Sequence, residues 1–192
     1  MKNLTTKTST GICEPWALWI TGLPGSGKST IARKVRDKLL DREILCKILK
    51  LDEIRKFITP DPRYTEEERD IVYYSLAYMA KLTVDDGKNV IIDATANRMR
   101  YRKKAKDTIV NFIEAYVRCP LEICMEREGK REIKYFPQGI YKKGLDKESN
   151  TVPGIGVPYE ESNPEIIVDS SKDSAEKCSD MIVEKMRGSG NA

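Results

Sequence analysis

Short apolar runs alternate with longer stretches of helical period along nearly the whole chain. The runs are continuous rather than alternating, which is typical of strands that are buried on both faces of a sheet. We predict five strands: "ALWIT" (17–21), "ILCKIL" (44–49), "NVIID" (89–93), "FIEAYV" (112–117) and "EIIVD" (165–169).

The stretches between these runs are predicted helices. After the first strand, "STIARKVRDKLL" has Ile31, Val35 and Leu39 four residues apart, which indicates an amphipathic helix. "TEEERD" (65–70) opens another helix with acidic residues in its first turn, as the helix dipole favours. Three more are expected: a basic helix after the third strand, one beginning in "PLEICMERE", and one over about 174–186.

Strands that alternate with helices predict an α/β fold, with a five-stranded parallel sheet and helices on both faces. Such sheets bind ligands at the carboxyl ends of their strands. We expect one domain over 15–188, preceded by a polar leader over 1–14. Residues 129–164 have no clear period and are too long for an ordinary connection. We therefore expect a lid or substrate loop at about 127–164.

The composition is that of an ordinary globular protein, with 192 residues, 40% hydrophobic and 33% charged. The formal net charge of +4 mildly favours anionic ligands, but a nucleic-acid partner is not expected from it. No apolar run approaches the roughly 20 residues that cross a bilayer. The leader lacks the apolar segment of a signal peptide, so we expect no membrane partner and a cytoplasmic location.

Cysteine and histidine usage narrows the possible chemistry. The five cysteines form no CxxC pair, and four of them lie in apolar segments, so we interpret these as buried structural thiols. Histidine is absent, which excludes Ser-His-Asp and Cys-His triads as well as histidine metal sites. Carboxylates, lysine, arginine and bound magnesium remain as the catalytic repertoire.

The clearest motif is a glycine-rich loop between the first strand and the first helix. Gly22–Ser29 matches G-x-x-x-x-G-K-[ST], in which backbone amides surround a phosphate and the lysine neutralises its oxygens. This loop predicts a three-layer fold of the P-loop NTPase type. Such a loop serves ATPases, GTPases and kinases alike. The predicted nucleotide-binding residues are Gly22, Leu23, Pro24, Gly25, Ser26, Gly27, Lys28, Ser29 and Thr30.

A magnesium ion is expected beside this loop. Ser29 is the motif's metal ligand, and Asp93, which ends the third strand, is its natural partner. Asp93 could instead cap the helix that follows it. Guanine specificity has no support, because N-K-x-D does not occur.

Transfer of a phosphoryl group also needs a base for the acceptor and cations for the transferred charge. Asp52 follows the second strand, where it could accept a hydroxyl proton, and Arg55 lies one helical turn further on. "LDEIRK" could instead be a helix start with an i,i+3 ion pair. The basic residues of 98–104 are interpreted mainly as solvated surface.

Several segments together resemble the adenylylsulfate (APS) kinase family. "WITGLPGSGKST" is similar to the family's opening motif, and "FIEAYVRCPLEICMERE" to the strand that leads into its lid. More diagnostic are "QGIYKKG" (138–144) and "VPGIGVPYEESNPEIIVD" (152–169), which resemble the end of that lid. The resemblance implies phosphorylation of the 3′-hydroxyl of adenosine 5′-phosphosulfate by MgATP. A homodimer would be usual for the family.

The resemblance also implies roles for individual residues. Asp52 would be catalytic together with Lys28, which the loop motif already assigns. Arg127 and Arg131 lie where small kinases in general place lid arginines over the nucleotide phosphates. The acceptor would contact a further set: Asp52, Arg55, Arg69, Gly139, Ile140, Tyr141 and Val152.

The sequence departs from the family pattern around the acceptor. Lys50 and Leu51 replace the first acid and the glycine of L-D-G-D, and Val152 replaces an aromatic residue. A same-fold kinase for another hydroxyl, on a nucleotide-linked metabolite or seryl-tRNA, is therefore an alternative. A nucleotide-dependent switch or binding module is a second alternative, although the lid segment with Tyr141, Tyr159 and Glu160 disfavours it.

Overall fold

The computed structural model describes residues 14–130, 139–146 and 152–188. Its strands form one parallel sheet in the order β2-β3-β1-β4-β5. They are β1 (Ala17–Thr21), β2 (Cys46–Lys50), β3 (Asn89–Asp93), β4 (Phe112–Arg118) and β5 (Ile166–Asp169). The helices are α1 (Lys28–Leu40), α2 (Leu51–Ile58), α3 (Glu66–Asp85), α4 (Met99–Thr108), α5 (Leu121–Gly129), α6 (Ile140–Leu145) and α7 (Ala175–Gly188).

Helices cover both faces of this sheet. Leu18 and Ile20 of β1 point into a cluster built with α1 and α7. Ala17 and Trp19 point the other way, into a cluster built with α3 and α4. Successive strand residues thus bury opposite faces, which is why β1 is apolar throughout. The predicted three-layer α/β fold is confirmed.

Most element boundaries lie close to those predicted, and the exceptions have physical reasons. β2 begins at Cys46 rather than at Ile44, because it is an edge strand and its neighbour β3 begins at Asn89, opposite Cys46. The short helix α6 was missed, since the glycine-rich lid sequence gives it no apolar period. The leader and Arg131 lie outside the described residues, so the domain division stays a prediction.

The cysteines are structural where the structure describes them. Cys119, Cys124 and Cys178 are buried, whereas Cys46 on the edge strand is half-buried. Burial raises the pKa of the Cys124 thiol to about 12, so this thiol stays protonated. Among the described helices, none is both long and apolar enough to cross a membrane.

Candidate active site

The glycine-rich loop joins the end of β1 to the start of α1. Gly27 caps the helix with φ 92° and ψ 5°, a left-handed conformation that a glycine adopts without strain. Its carbonyl oxygen accepts hydrogen bonds from the amides of Thr30 (3.1 Å) and Ile31 (3.0 Å). The loop therefore turns directly into the first turn of α1, as the phosphate-binding mechanism requires.

A close contact with α5 holds this loop from outside. A Cβ atom placed on Gly25 would lie 2.2 Å from the carbonyl oxygen of Cys124. Only glycine fits such a contact, because two backbones meet there without a side chain between them. The position of the loop is thus fixed by the strand after which it begins and by the start of α5.

The electrostatics of the loop suit an anion. The first turn of α1 has no acidic residue and no side-chain cap, so its positive end is left uncompensated. In contrast, α3 has a Thr65 cap and three glutamates in its first turn. Lys28 adds an ammonium group, which donates to the carbonyl oxygen of Leu23 (2.8 Å). The donor set of the loop therefore fits the phosphates of ATP.

The predicted magnesium ligands lie beside this loop. Asp93 ends β3 and is paired in register with Ile20 of β1 and with Lys50 of β2. Ser29 lies in the first turn of α1. In the described parts of the chain, no group of three or more acidic, cysteine or histidine side chains could hold a metal by itself. One hydroxyl and one carboxylate fit Mg²⁺, which completes its shell with waters and substrate phosphates.

Asp52 reaches the same edge of the sheet from α2. Lys50, the last residue of β2, is the N-cap of α2, which places Asp52 in the first turn of that helix and on the protein surface. Arg55 forms an ion pair with Glu68 of α3 (3.2 Å), and the i,i+3 pair in this segment joins Lys50 to Glu53 (2.8 Å).

The two predicted acceptor arginines surround one tyrosine. The guanidinium carbons of Arg55 and Arg69 lie 5.2 Å and 5.8 Å from the ring centre of Tyr64. Arg69 also donates to the Tyr64 carbonyl oxygen (3.2 Å). The Glu68 carboxylate accepts from the backbone amides of Arg63 (2.6 Å) and Tyr64 (2.9 Å). The turn before α3 is therefore tied directly to both arginines.

Tyr64 and Glu68 were not predicted as functional residues. Their only signal in the sequence is the helix start at "YTEEER", where an acid three residues after the Thr65 cap can reach back to the preceding amides. Tyr64 has φ 58°, an uncommon conformation for a non-glycine residue.

The lid residues lie on the phosphate loop. Gly139 is the N-cap of α6, and Tyr141 donates a hydrogen bond to the carbonyl oxygen of Pro24 (2.8 Å). Burial raises the pKa of Tyr141, which keeps its hydroxyl protonated as a donor. Tyr141 and Val152 are buried together, with Ile140 packed against them. That Gly139, Ile140, Tyr141 and Val152 bind the acceptor stays a prediction.

Arg127 contacts the loop through a residue that was not predicted. Its guanidinium donates to the carbonyl oxygen (2.9 Å) and the hydroxyl (3.3 Å) of Ser170, just after β5. The Ser170 hydroxyl in turn donates to the Ser26 carbonyl oxygen (2.8 Å). Arg127 is thus held at the flank of the phosphate loop, whereas Arg131 lies outside the described residues.

The basic run after β3 is not a solvated surface throughout. Arg102 is 1% exposed, so the expectation of a solvated side chain was wrong for this residue. Arg98 pairs with Glu160 (3.0 Å), and Arg100 with Glu66 (2.8 Å). The cations of this run are therefore largely neutralised by neighbouring acids.

The sheet order and the loop between β1 and α1 define a nucleotide-binding protein of the P-loop class. Beyond that class, the family model for adenylylsulphate kinase matches residues 14–169. The chain belongs to the adenylylsulphate kinase family.

Individual relatives agree with this family. The chain is 36% identical to the adenylyl-sulfate kinase of Clostridium acetobutylicum, over 88% of this chain and 82% of the relative. It is 33% identical to the probable adenylyl-sulfate kinase of Pyrococcus abyssi, over 92% and 98%. The Mycobacterium tuberculosis APS kinase, solved in complex with AMPPNP and APS, superposes with a TM-score of 0.79 at 27% identity, covering 91% of this chain and 98% of the other.

Proposed function

We propose that the protein is an ATP-dependent kinase that phosphorylates the 3′-hydroxyl of adenosine 5′-phosphosulfate, giving 3′-phosphoadenosine 5′-phosphosulfate. One arrangement carries the proposal: the phosphate loop, Asp52 and the two arginines at Tyr64 lie at the carboxyl edge of one sheet. The identity of the acceptor is inferred from the family and from the relatives named above. The reaction is transfer of the γ-phosphoryl group to an alcohol.

Each part of this edge has a task in the transfer. The loop amides and Lys28 bind the β- and γ-phosphates of ATP. Ser29 and Asp93 would hold Mg²⁺, which neutralises phosphate charge when bound. Asp52 orients the acceptor hydroxyl and takes its proton, and Arg55 and Arg69 bind the anionic end of the acceptor. Arg127 supports the loop from the side of Ser170.

The lid contact favours a kinase over a switch module. Tyr141 closes α6 over Pro24 of the phosphate loop, and the surrounding cluster is apolar. A lid that packs on the phosphate loop can exclude water, which would otherwise compete with the acceptor hydroxyl.

A seryl-tRNA acceptor is disfavoured by the pairing of the basic residues on α4. Binding of a nucleic-acid backbone depends on cations that are available to phosphates. On α4 and its N-cap, four of the basic side chains are engaged with acids of the same chain: Arg98, Arg100, Lys103 and Lys106. A small nucleotide is the better match.

Two further properties are proposed on the basis of the family. We propose a cytoplasmic location and a homodimer. Light scattering during size-exclusion chromatography measures the mass directly, and a monomer at micromolar concentration would contradict the second proposal.

Acceptor-dependent formation of ADP from MgATP and adenosine 5′-phosphosulfate tests the function. We expect turnover by the wild type and a loss of roughly 100-fold or more in Asp52→Asn, because a positioned base contributes about 10²–10⁴-fold. Glu53→Gln is the matched control, since Glu53 is the next residue and, in the part of the chain that the structure describes, its ion pair is with Lys50 at the surface (2.8 Å). A silent wild type that binds ATP would contradict the acceptor. Equal activity of the two variants would contradict the role of Asp52.

A further inference from the structure

The segment that leaves the lid, residues 158–162, lies at the carboxyl end of β1, where the Tyr159 hydroxyl approaches Thr21, and it is here called the lid root. It meets the loop after β3 and the start of α4. The amide of Glu160 donates to the carbonyl oxygen of Asn97 (2.8 Å), and the amide group of the Asn97 side chain donates to the Pro158 carbonyl oxygen (3.3 Å). The lid root is therefore tied through its backbone to the β3–α4 loop.

The Glu160 carboxylate also caps α4. The N-cap residue of α4, Arg98, makes no side-chain hydrogen bond to the helix. Glu160 supplies one instead, by accepting from the amide of Met99 (2.8 Å) across 61 residues of chain. Its other oxygen pairs with the Arg98 guanidinium (3.0 Å). One carboxylate thus satisfies the start of the helix and fixes a neighbouring cation.

Arg102 also contacts the lid root, through the backbone of Glu160. Its side chain is fully buried, and it donates to the carbonyl oxygens of Ala96 and Glu160. The guanidinium lies 2.8 Å from the Glu114 carboxylate of β4, which also accepts from the Ser162 hydroxyl (2.5 Å). A buried ion pair of this kind adds little stability compared with an apolar pair. Its directed hydrogen bonds fix geometry, and here that geometry is the position of the lid root.

The lid root reaches both halves of the proposed site. At one end, the Tyr159 hydroxyl lies 2.8 Å from the hydroxyl of Thr21, the last residue before the phosphate loop. On the other side the contact is indirect: Glu160 pairs with Arg98, which lies 3.7 Å from Glu66 in the first turn of the helix that carries Arg69. A displacement of the lid root would therefore change the positions of the phosphate loop and of the proposed acceptor arginines.

We infer that Glu160 and Arg102 are positioning residues, which hold the lid root in register with the acceptor-binding start of α3. The partners described for both residues are groups of the protein itself. Glu160 acts through Arg98 and the α4 cap, and Arg102 acts through the backbone carbonyl oxygens of Ala96 and Glu160. The inference rests on the proposed function, because it concerns how the acceptor of that reaction is bound. Glu160 lies in the segment 152–169 that resembles the family, and the inference gives a role to it and to Arg102, neither of which was predicted as a site residue.

The test compares Glu160→Gln with Glu161→Gln. The two changes are chemically identical and one residue apart, but the contacts of Glu161 within the described residues are with the exposed Arg118 (3.8 Å) and the Tyr116 hydroxyl (3.4 Å). We expect Glu160→Gln to raise the KM for adenosine 5′-phosphosulfate about fivefold or more, with kcat within twofold, and Glu161→Gln to match the wild type. A merely structural role would lower the active fraction, and so kcat, without changing KM. That result would overturn the inference.

A double-mutant cycle tests the path through Arg98. If Glu160 acts by fixing Arg98, then Arg98→Gln raises the same KM, and the double variant is no worse than the poorer single variant. Fully additive effects would overturn this path.

Hydrogen exchange separates this inference from the proposed function. Amides of residues 152–162 should exchange faster in Glu160→Gln than in Glu161→Gln, and this measurement needs no turnover. If the wild type does not use adenosine 5′-phosphosulfate, the proposed function fails, while faster exchange still supports the role of Glu160 in holding the lid root. Unchanged exchange would overturn that role even in an active enzyme.

Discussion

Gly25 tests how the phosphate loop is held, because its contact with α5 leaves no room for a side chain. An added Cβ would lie 2.2 Å from the carbonyl oxygen and 3.0 Å from the carbonyl carbon of Cys124. Both are backbone atoms at the start of a helix, so they cannot rotate away as a side chain would. The substitution Gly25→Ala should therefore push the loop off α5.

Gly87 provides the control for the backbone conformation alone. Its φ is +78°, against +79° for Gly25, and an added Cβ would meet nothing within 4 Å. A left-handed alanine costs roughly 1–2 kcal/mol, and the stiffer unfolded chain offsets about 0.4–1 kcal/mol of that. Gly87→Ala should thus lose about 1 kcal/mol. Overpacking adds roughly 1–3 kcal/mol for Gly25→Ala, giving a total of about 3 kcal/mol.

Thermal unfolding of the nucleotide-free variants measures the difference. For a chain of this size, 1 kcal/mol corresponds to roughly 2–4 °C in Tm. We expect Tm to fall by about 3 °C in Gly87→Ala and about 9 °C in Gly25→Ala. MgATP should also bind more weakly to Gly25→Ala alone, since only that change displaces the loop amides. Equal losses of Tm would refute the described contact between the loop and Cys124.

Three other perturbations test separate parts of the site. Lys28→Met should weaken MgATP binding at least tenfold in titration calorimetry, because the only side-chain cation of the motif is lost. Glu68→Gln should destabilise the fold by about 1–3 kcal/mol in denaturant unfolding, since the carboxylate serves Arg55 and two backbone amides. The Met99 amide and Arg98 lower the pKa of Glu160. The stabilising effect of this carboxylate is present above the ordinary glutamate pKa of about 4.3 and is lost as the pH falls through its lowered pKa. Denaturant unfolding at a series of pH values should therefore show a smaller loss of stability towards acid pH in Glu160→Gln than in the wild type.

The sheet and the phosphate loop could be predicted because their signals are local. β3 was predicted at its observed bounds, Asn89–Asp93, since a continuous apolar run that ends in an acid has few other structures available. The loop motif specifies its own context, a strand before it and a helix after it. The strand order then brings Asp52 and Asp93 to one edge without further information.

The contacts that hold the site together are long-range and could not be predicted. Arg102 stands in a basic run that has the composition of a solvated face, yet its partners come from 6 and 58 residues away along the chain. Glu160 likewise lies in a stretch without helical or strand period. No pattern within either segment indicates that a carboxylate from one caps a helix in the other. Only the packing of the lid root onto α4 brings them together.

At the start of α2, the structure shows how the residues that depart from the family pattern, Lys50 and Leu51, are packed and paired. Leu51, in place of the motif's glycine, is buried against the core cluster on the α3 side, so packing holds the first turn of α2 beside Asp52. Lys50, in place of an acid, is paired with Glu53. The position of Asp52 therefore depends on hydrophobic contact rather than on the replaced acid and glycine.

The contacts of Arg55 and Arg69 favour recognition of the acceptor through the orientation of their hydrogen-bond donors. One Nη of Arg55 donates a hydrogen bond to the Glu68 carboxylate. The same guanidinium lies over the Tyr64 ring, and these two contacts fix the orientation of its remaining donors. Among the described contacts, Glu68 pairs with Arg55, so part of the positive charge at this turn is balanced within the protein. If the two arginines bind the acceptor as proposed, discrimination depends on where its oxygens lie relative to the two planar groups. A small phosphosulfate ester, whose oxygens lie at fixed positions, would suit such a site better than a polyanion such as tRNA.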